Sequence, residues 1–363
     1  MSAATRAALW GRLRDGGLVV GEMPVGGDAS APWFVRVMLG IAGWIGALFL
    51  LGFVGAGFAF VFRNSGAAAV LGAAACAAAV AIFRVAPKND FVAQFGLAVS
   101  LAGQALLVYA VGDWMDGSIV AIAFFVALQQ ALLFVLVPSF VHRLWAVWSG
   151  VVAATIALMD AGLFGFVPAV TTAAFAWVAL SEFRVARHGP LVRAGVYGLA
   201  LAAGQVAVLP GGLLSELFYG HSHRGLSLGM PGVWLARLAL AAVLVFAAVV
   251  LLRRERVALD SGPGRIGLAV ALLLGLVSIK APGVGPAAVI LIVGYANADR
   301  VLTGLGIVAL LGYLSQYYYS LHATLLEKSG LLVAAGLALL LVRLAMKYVW
   351  PETCDTSEER PHA

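Results

Sequence analysis

The chain has 363 residues, of which 63% are hydrophobic and 11% charged, with a mean hydropathy of +1.00. A soluble domain carries about 25% charged residues, so a water-soluble enzyme or scaffold is excluded. The net charge of +6 resides in basic residues that flank apolar runs, an arrangement suited to anionic lipid headgroups rather than to nucleic acid, and no nucleic-acid partner is expected.

In chain order, Ala4 to Asp15 reads as a short interfacial helix: Ala8, Leu9 and Leu13 share a face with Trp10 beside it, and Arg6, Arg12 and Arg14 lie elsewhere. A frayed leader is the plainer alternative. A Gly/Pro-rich linker, Gly16 to Pro32, follows. The first apolar run starts only after Trp33, without the short core and small-residue cleavage site of a secretory signal. It is expected to stay as a signal anchor.

From there an all-α, polytopic bundle of about twelve spans is expected, since a hydrocarbon core of about 30 Å needs roughly 20 helical residues and only self-satisfied backbones cross it. The expected spans are Phe34–Val61, Gly66–Phe83, Phe91–Val111, Gly117–Val137, Leu144–Met159, Gly162–Leu180, Leu191–Leu209, Val233–Leu252, Gly267–Ile279, Gly283–Ala296, Val301–Ser315 and Gly330–Tyr348. The ninth to eleventh fall short of about 17 residues, so either they borrow polar flanks or the count is nearer ten or eleven. The organisation is then a leader over 1–32, a membrane domain over 33–349 and a polar tail over 350–363. With this count, 18 of the 23 basic residues lie on one side, leaving Arg63, Arg224, Arg237, Lys280 and Lys328 on the other. The positive-inside rule puts both termini in the cytoplasm. Asp299 and Arg300 are the only charges between the tenth and eleventh spans, and a re-entrant tenth would reduce the count to eleven.

Small residues recur four apart at Ala68/Gly72, Ala200/Gly204 and Gly283/Ala287, a spacing that permits close helix contact. Cys76 lies in an Ala-rich span and Cys354 in the tail, so no disulfide framework is expected. No Asp, Glu, Lys or Arg falls near a span midpoint. The mid-span polar groups are Gln104, Gln129, Gln130 and Gln205, which either bond across helices or, through Gln104, Gln129 and Gln205, line a polar path. At the opposite end from most basic residues, Tyr317, Tyr318, Tyr319, His322, Thr324, Glu327 and Lys328 form a candidate outward cluster, against the alternative of an aromatic belt. Glu216, His221 and His223 sit in the longest loop, near a Pro210–Phe218 stretch that reads as an interfacial element or a plain connection. Their spacing lacks the i, i+4 geometry of a zinc helix, so no metal site is expected. No catalytic or nucleotide motif occurs, and neither a cofactor nor a catalytic residue is assigned.

The C-terminal run Tyr317-Tyr318-Tyr319-Ser320-Leu321, with Thr324-Leu325-Leu326 and Lys328-Ser329 before a last helix containing Gly336 and Arg343, resembles the ending of a bacterial membrane family catalogued as domain of unknown function 4401. The Leu9-Trp10 leader, Pro32-Trp33 and Gly43-Trp44 agree with it. The resemblance implies an inner-membrane protein of Gram-negative bacteria, encoded beside another multispan protein and a small protein named for a GDYXXLXY motif. Those two proteins are the partners it suggests, and membrane lipids are the partners suggested by the flanking basic residues. It implies no reaction. Two classes of function follow: a non-enzymatic component of a membrane complex, with a transporter or channel for a small or lipidic solute as its variant, and a membrane-embedded transferase with an outward pocket.

Overall fold

The computed structural model describes residues 3–17, 63–85, 90–181, 189–208 and 229–320, with isolated positions before and after them. Among the described residues the regular structure is helical, and nine helices are long and apolar enough to cross a membrane. The expected first and last spans and the Pro210–Phe218 element lie outside these residues, apart from isolated positions in the two spans. Two compact units divide the chain: residues 1–117 with 136–139, and residues 118–135 with 140–363.

In the first unit the leader folds as α1 (Ala3–Asp15), with Arg12 and Arg14 in its last turn, where cations suit the negative end of the helix dipole. Helices α2 (Ser65–Val85) and α3 (Asp90–Trp114) pair antiparallel. Asn64 caps α2, its Oδ1 accepting from the Ala67 amide at 3.1 Å. The pair is closest where Gly72 meets Gly103: a Cβ on Gly72 would lie 2.8 Å from the Gly103 carbonyl oxygen, and one on Gly103 2.7 Å from that of Gly72. Backbones so close can gain dispersion contact that a larger residue would prevent. At the far end of the pair the Trp114 indole donates to Ser65 Oγ at 3.0 Å.

The second unit holds α4 (Ile119–Leu136), α5 (Phe140–Asp160), α6 (Val167–Ser181), α7 (Gly189–Val208), α8 (Gly229–Arg254), α9 (Gly262–Lys280), α10 (Val284–Ala296) and α11 (Arg300–Ser320). A 3-10 turn, Phe164–Phe166, leads into α6. Two of the three short expected spans borrow their flanks. Helix α9 starts at a Ser261 cap with Pro263 in its first turn and runs for 19 residues, and α11 runs from Arg300 through the tyrosines for 21.

Helix α10 remains at 13 residues, a rise of about 20 Å against a hydrocarbon core of about 30 Å. It is nevertheless the centre of the unit. Val289, Ile290 and Val293 are almost wholly buried, in one cluster with Phe175 and Ala179 of α6, Ala200 and Ala203 of α7, Leu244 of α8 and Leu302 of α11. Eight of its thirteen residues are buried against neighbouring helices, whereas Ile292 and Tyr295 are exposed. It also carries the chain from one end of the unit to the other. The chain leaves α8 at Arg254, returns along α9 to Lys280, and reaches Asn297 after α10, where Arg254 Nη1 donates to Asn297 Oδ1 at 2.6 Å.

Helices α10 and α11 form an antiparallel hairpin zipped by glycines. Gly294 faces Leu302 and Thr303, Gly306 faces Leu291, and Gly283 faces Tyr313 and the Ala207 carbonyl. Helices α5, α7 and α11 begin at the same end, since Phe140 meets Tyr197 edge-on at 5.8 Å and Tyr197 reaches Asp299. That end carries Arg143, Arg193, Arg253, Arg254, Arg256, Arg265 and Arg300; of the unit's other described cations, Arg237 and Lys280 lie toward the opposite end. All three small-residue pairs named from the sequence are at helix contacts: Ala68/Gly72 between α2 and α3, and Ala200/Gly204 and Gly283/Ala287 in the second unit.

Candidate functional site

The most connected polar cluster is at the arginine-rich end of the second unit, on the turn Asn297-Ala298-Asp299. Asp299 caps α11: its Oδ1 accepts from the amides of Val301 at 3.0 Å and Leu302 at 3.2 Å. Its Oδ2 accepts the Tyr197 hydroxyl of α7 at 2.6 Å. Arg193, one turn before Tyr197, has its guanidinium carbon 6.0 Å from the tyrosine ring centre and adds a favourable charge for the carboxylate. Asn297 accepts from Arg254 of α8 and donates through Nδ2 to the Ala179 carbonyl of α6 at 3.2 Å. Four helix ends thus meet on three residues. The intervening Ala298 has a φ of +53°, the left-handed region that costs a non-glycine residue about 1–2 kcal/mol.

Burial would raise the pKa of Asp299, but the hydrogen bonds from Tyr197, Leu302 and Val301 and the Arg193 charge outweigh it, and the carboxyl lies below its ordinary value. The carboxylate therefore stays ionised and has three donors on its two oxygens. Its chemistry is that of a clamp. The sequence singled out Asp299 only as a charge between spans. An Asn-x-Asp turn between two apolar runs is also a capping signal, and that signal could have located this cluster.

In the last turn of α7, Gln205 accepts the indole of Trp148, near the middle of α5, at 2.6 Å. Gln104, in the first unit, donates to Ser100 Oγ at 3.0 Å, one turn back on its own helix. The Ser and Thr hydroxyls of the spans behave likewise: Thr155, Thr171 and Ser278 each donate to the carbonyl four residues earlier, at 2.7–2.8 Å. Gln130 is buried with its side chain against Gly150 of α5. Gln129 is different. It is buried, and neither amide atom has a hydrogen-bond partner among the described residues.

Of the outward cluster, Tyr317, Tyr318 and Tyr319 lie on the last turns of α11. The Tyr317 ring is 5.8 Å from that of Tyr313, which packs where Gly283 begins α10. Tyr318 meets Tyr319 edge-on at 5.6 Å, and Tyr319 is 79% exposed. His322, Thr324, Glu327 and Lys328 lie outside the described residues, as do Glu216, His221 and His223. Among the described residues no three His, Cys, Asp or Glu side chains gather into a metal-binding group.

A family model described as Domain of unknown function (DUF4401) matches residues 32–349. No curated protein and no solved structure matches the chain.

Proposed function

The chain belongs to the family of unknown function 4401, and from that premise we propose that it is a non-enzymatic component of a membrane complex in the bacterial inner membrane. Residues 33–349 are its membrane domain, crossing about twelve times, with 1–32 and 350–363 in the cytoplasm. The single observation that supports the structural role is the Trp148–Gln205 bond at 2.6 Å, in which an intramembrane amide joins two helices. The clamp on Asp299 uses polar groups in the same way. The concentration of arginines at one end of the second unit supports placing that end in the cytoplasm. The geometry of α10, which ends beside Arg254, supports counting it as a crossing.

The test is a pull-down from native membranes in mild detergent, with the chain tagged after Ala363 and its companions identified by mass spectrometry. Stoichiometric recovery of another multispan protein, or of the GDYXXLXY-motif protein, is expected. Recovery of the chain alone, carrying a solute or lipid-linked substrate, would defeat the reading.

One observation favours a second reading, a polar path for a small or lipidic solute. Gln129 is buried with its amide unpartnered among the described residues, a state that costs about 1–3 kcal/mol unless something polar visits it. Under that reading Gln129→Leu stabilises the protein while abolishing solute flux in proteoliposomes. A stabilised variant in a chain that moves no solute returns the site to packing.

A further inference from the structure

Helices α8, α9 and α10 leave between them a half-open cleft of about 290 Å³ whose lining side chains are all apolar. Its cause is local. Ala247 and Ala248 of α8 and Gly267 and Ala271 of α9 are too small to fill the space between the two backbones, and Val293 of α10 forms part of the floor. The cleft extends along α8 from Leu244 to Leu252, about 12 Å of helix at 1.5 Å per residue. It stops at the turn that joins α8 to α9.

That turn is charged. It holds Arg253, Arg254, Arg256 and Arg265 against Glu255 and Asp260, a net of two positive charges. Arg254 is bonded to Asn297, and Arg265 Nε donates to the Asp260 carbonyl at 2.7 Å. Arg253 and Arg256 are exposed. An apolar cleft thus ends beside a cationic rim, at the end of the unit where most of its arginines lie.

A dry apolar cavity excludes water, and an empty one forfeits dispersion contacts along its whole lining. In a bilayer the fluid at its mouth is hydrocarbon, and a volume near 290 Å³ is at the lower limit of the roughly 300–1,000 Å³ of small-molecule pockets. The cleft has room for part of one acyl chain and not for a whole lipid. Basic residues at the membrane surface next to such a groove select an anionic headgroup. We propose that this cleft is a lipid site, taking part of one acyl chain of an anionic phospholipid whose phosphate is held at the Arg253–Arg265 turn. It rests on the membrane placement of the helices alone, so it stands or falls separately from the proposed complex.

The experiment reconstitutes the full chain in phosphatidylcholine vesicles containing a trace of phosphatidylglycerol with a photoreactive acyl chain, and maps the adducts by peptide mass spectrometry. Adducts are expected to concentrate on 247–252 and 267–271, several-fold above the exposed Phe124, Leu128 and Leu132 face of α4. Photoreactive phosphatidylcholine should show no such preference. Ala248→Phe, which fills the cleft, should reduce the adducts several-fold. Arg253→Gln with Arg256→Gln leaves the cleft unchanged and should remove the preference for phosphatidylglycerol while retaining labelling by phosphatidylcholine. Adducts spread evenly over the exposed faces, or equal labelling of the cleft by the two lipids in the unaltered chain, would overturn the proposal.

Discussion

Asp299 is the residue on which the most structure depends. Asparagine would preserve its capping of α11, because Asn and Asp cap equally well, while removing the charge that Tyr197 and Arg193 attend. Alanine removes both. Loss of the cap costs about 0.5–2 kcal/mol, and loss of a hydrogen bond to a charged group about 1.5–3. Asp299→Ala should therefore lower the unfolding midpoint in detergent by more than Asp299→Asn. The sign with pH is fixed by the depressed pKa: the carboxylate's contribution is complete above the ordinary carboxylate range and is lost as the pH falls through the folded value. The stability gap between the parent and Asp299→Asn should shrink on acidification, and a gap that widens would contradict the clamp. Trp148 and Gln205 can be treated in the same way. A double-mutant cycle with Trp148→Phe and Gln205→Leu should return about 0.6 kcal/mol, with about 1.7 as the ceiling found for such bonds between membrane helices. A coupling of zero would release Gln205 for the polar path.

At the scale of the helix the decisive residues are glycines, and two on one helix make a matched pair. A Cβ on Gly306 would sit 2.5 Å from the Leu291 amide nitrogen and 2.6 Å from its Cα, whereas one on Gly304 would meet nothing within 4 Å. Backbone cannot yield as a side chain does, so Gly306→Ala should pry α10 from α11 at a cost of about 1–3 kcal/mol. Gly304→Ala should be neutral or stabilising by up to about 1 kcal/mol, the difference in helix propensity. Equal melting of the two variants would show that the hairpin is not closed by glycine contact. Runs of apolar residues make most of these helices legible in the sequence, and the apolar runs within α9 and α11, too short to span alone, point to the polar flanks that Ser261 and Arg300 supply. What the sequence could not show is that the short α10 is buried over most of its length between other helices. Hydropathy measures how well a residue tolerates an apolar environment and is blind to whether that environment is lipid or protein.

For the whole molecule, the same distinction separates what was legible from what was not. Membrane character follows from composition, since 11% charge leaves no other solvent for so many apolar helices. The candidate sites were harder to read because a polar residue at depth has two uses, and only its partner tells which applies. Gln205 has Trp148 within 2.6 Å and Gln129 has no described partner, yet in the sequence the two are indistinguishable. The orientation of the protein depends on a different kind of signal, the summed position of its cations, and it can be tested without knowing any activity. Asp260 lies at the arginine-rich end, in the turn after α8, and Lys280 at the other end, and both are exposed. With Cys76 and Cys354 replaced by serine, Lys280→Cys should react with a membrane-impermeant maleimide added to intact spheroplasts. Asp260→Cys should react only after the membrane is opened. Because α9 alone separates the two positions, opposite labelling is required by any topology in which α9 crosses, and the side that labels first gives the direction. Labelling of Asp260→Cys from outside would invert the proposed topology and with it the cytoplasmic placement of the arginines. Labelling of both from one side would mean that α9 does not span.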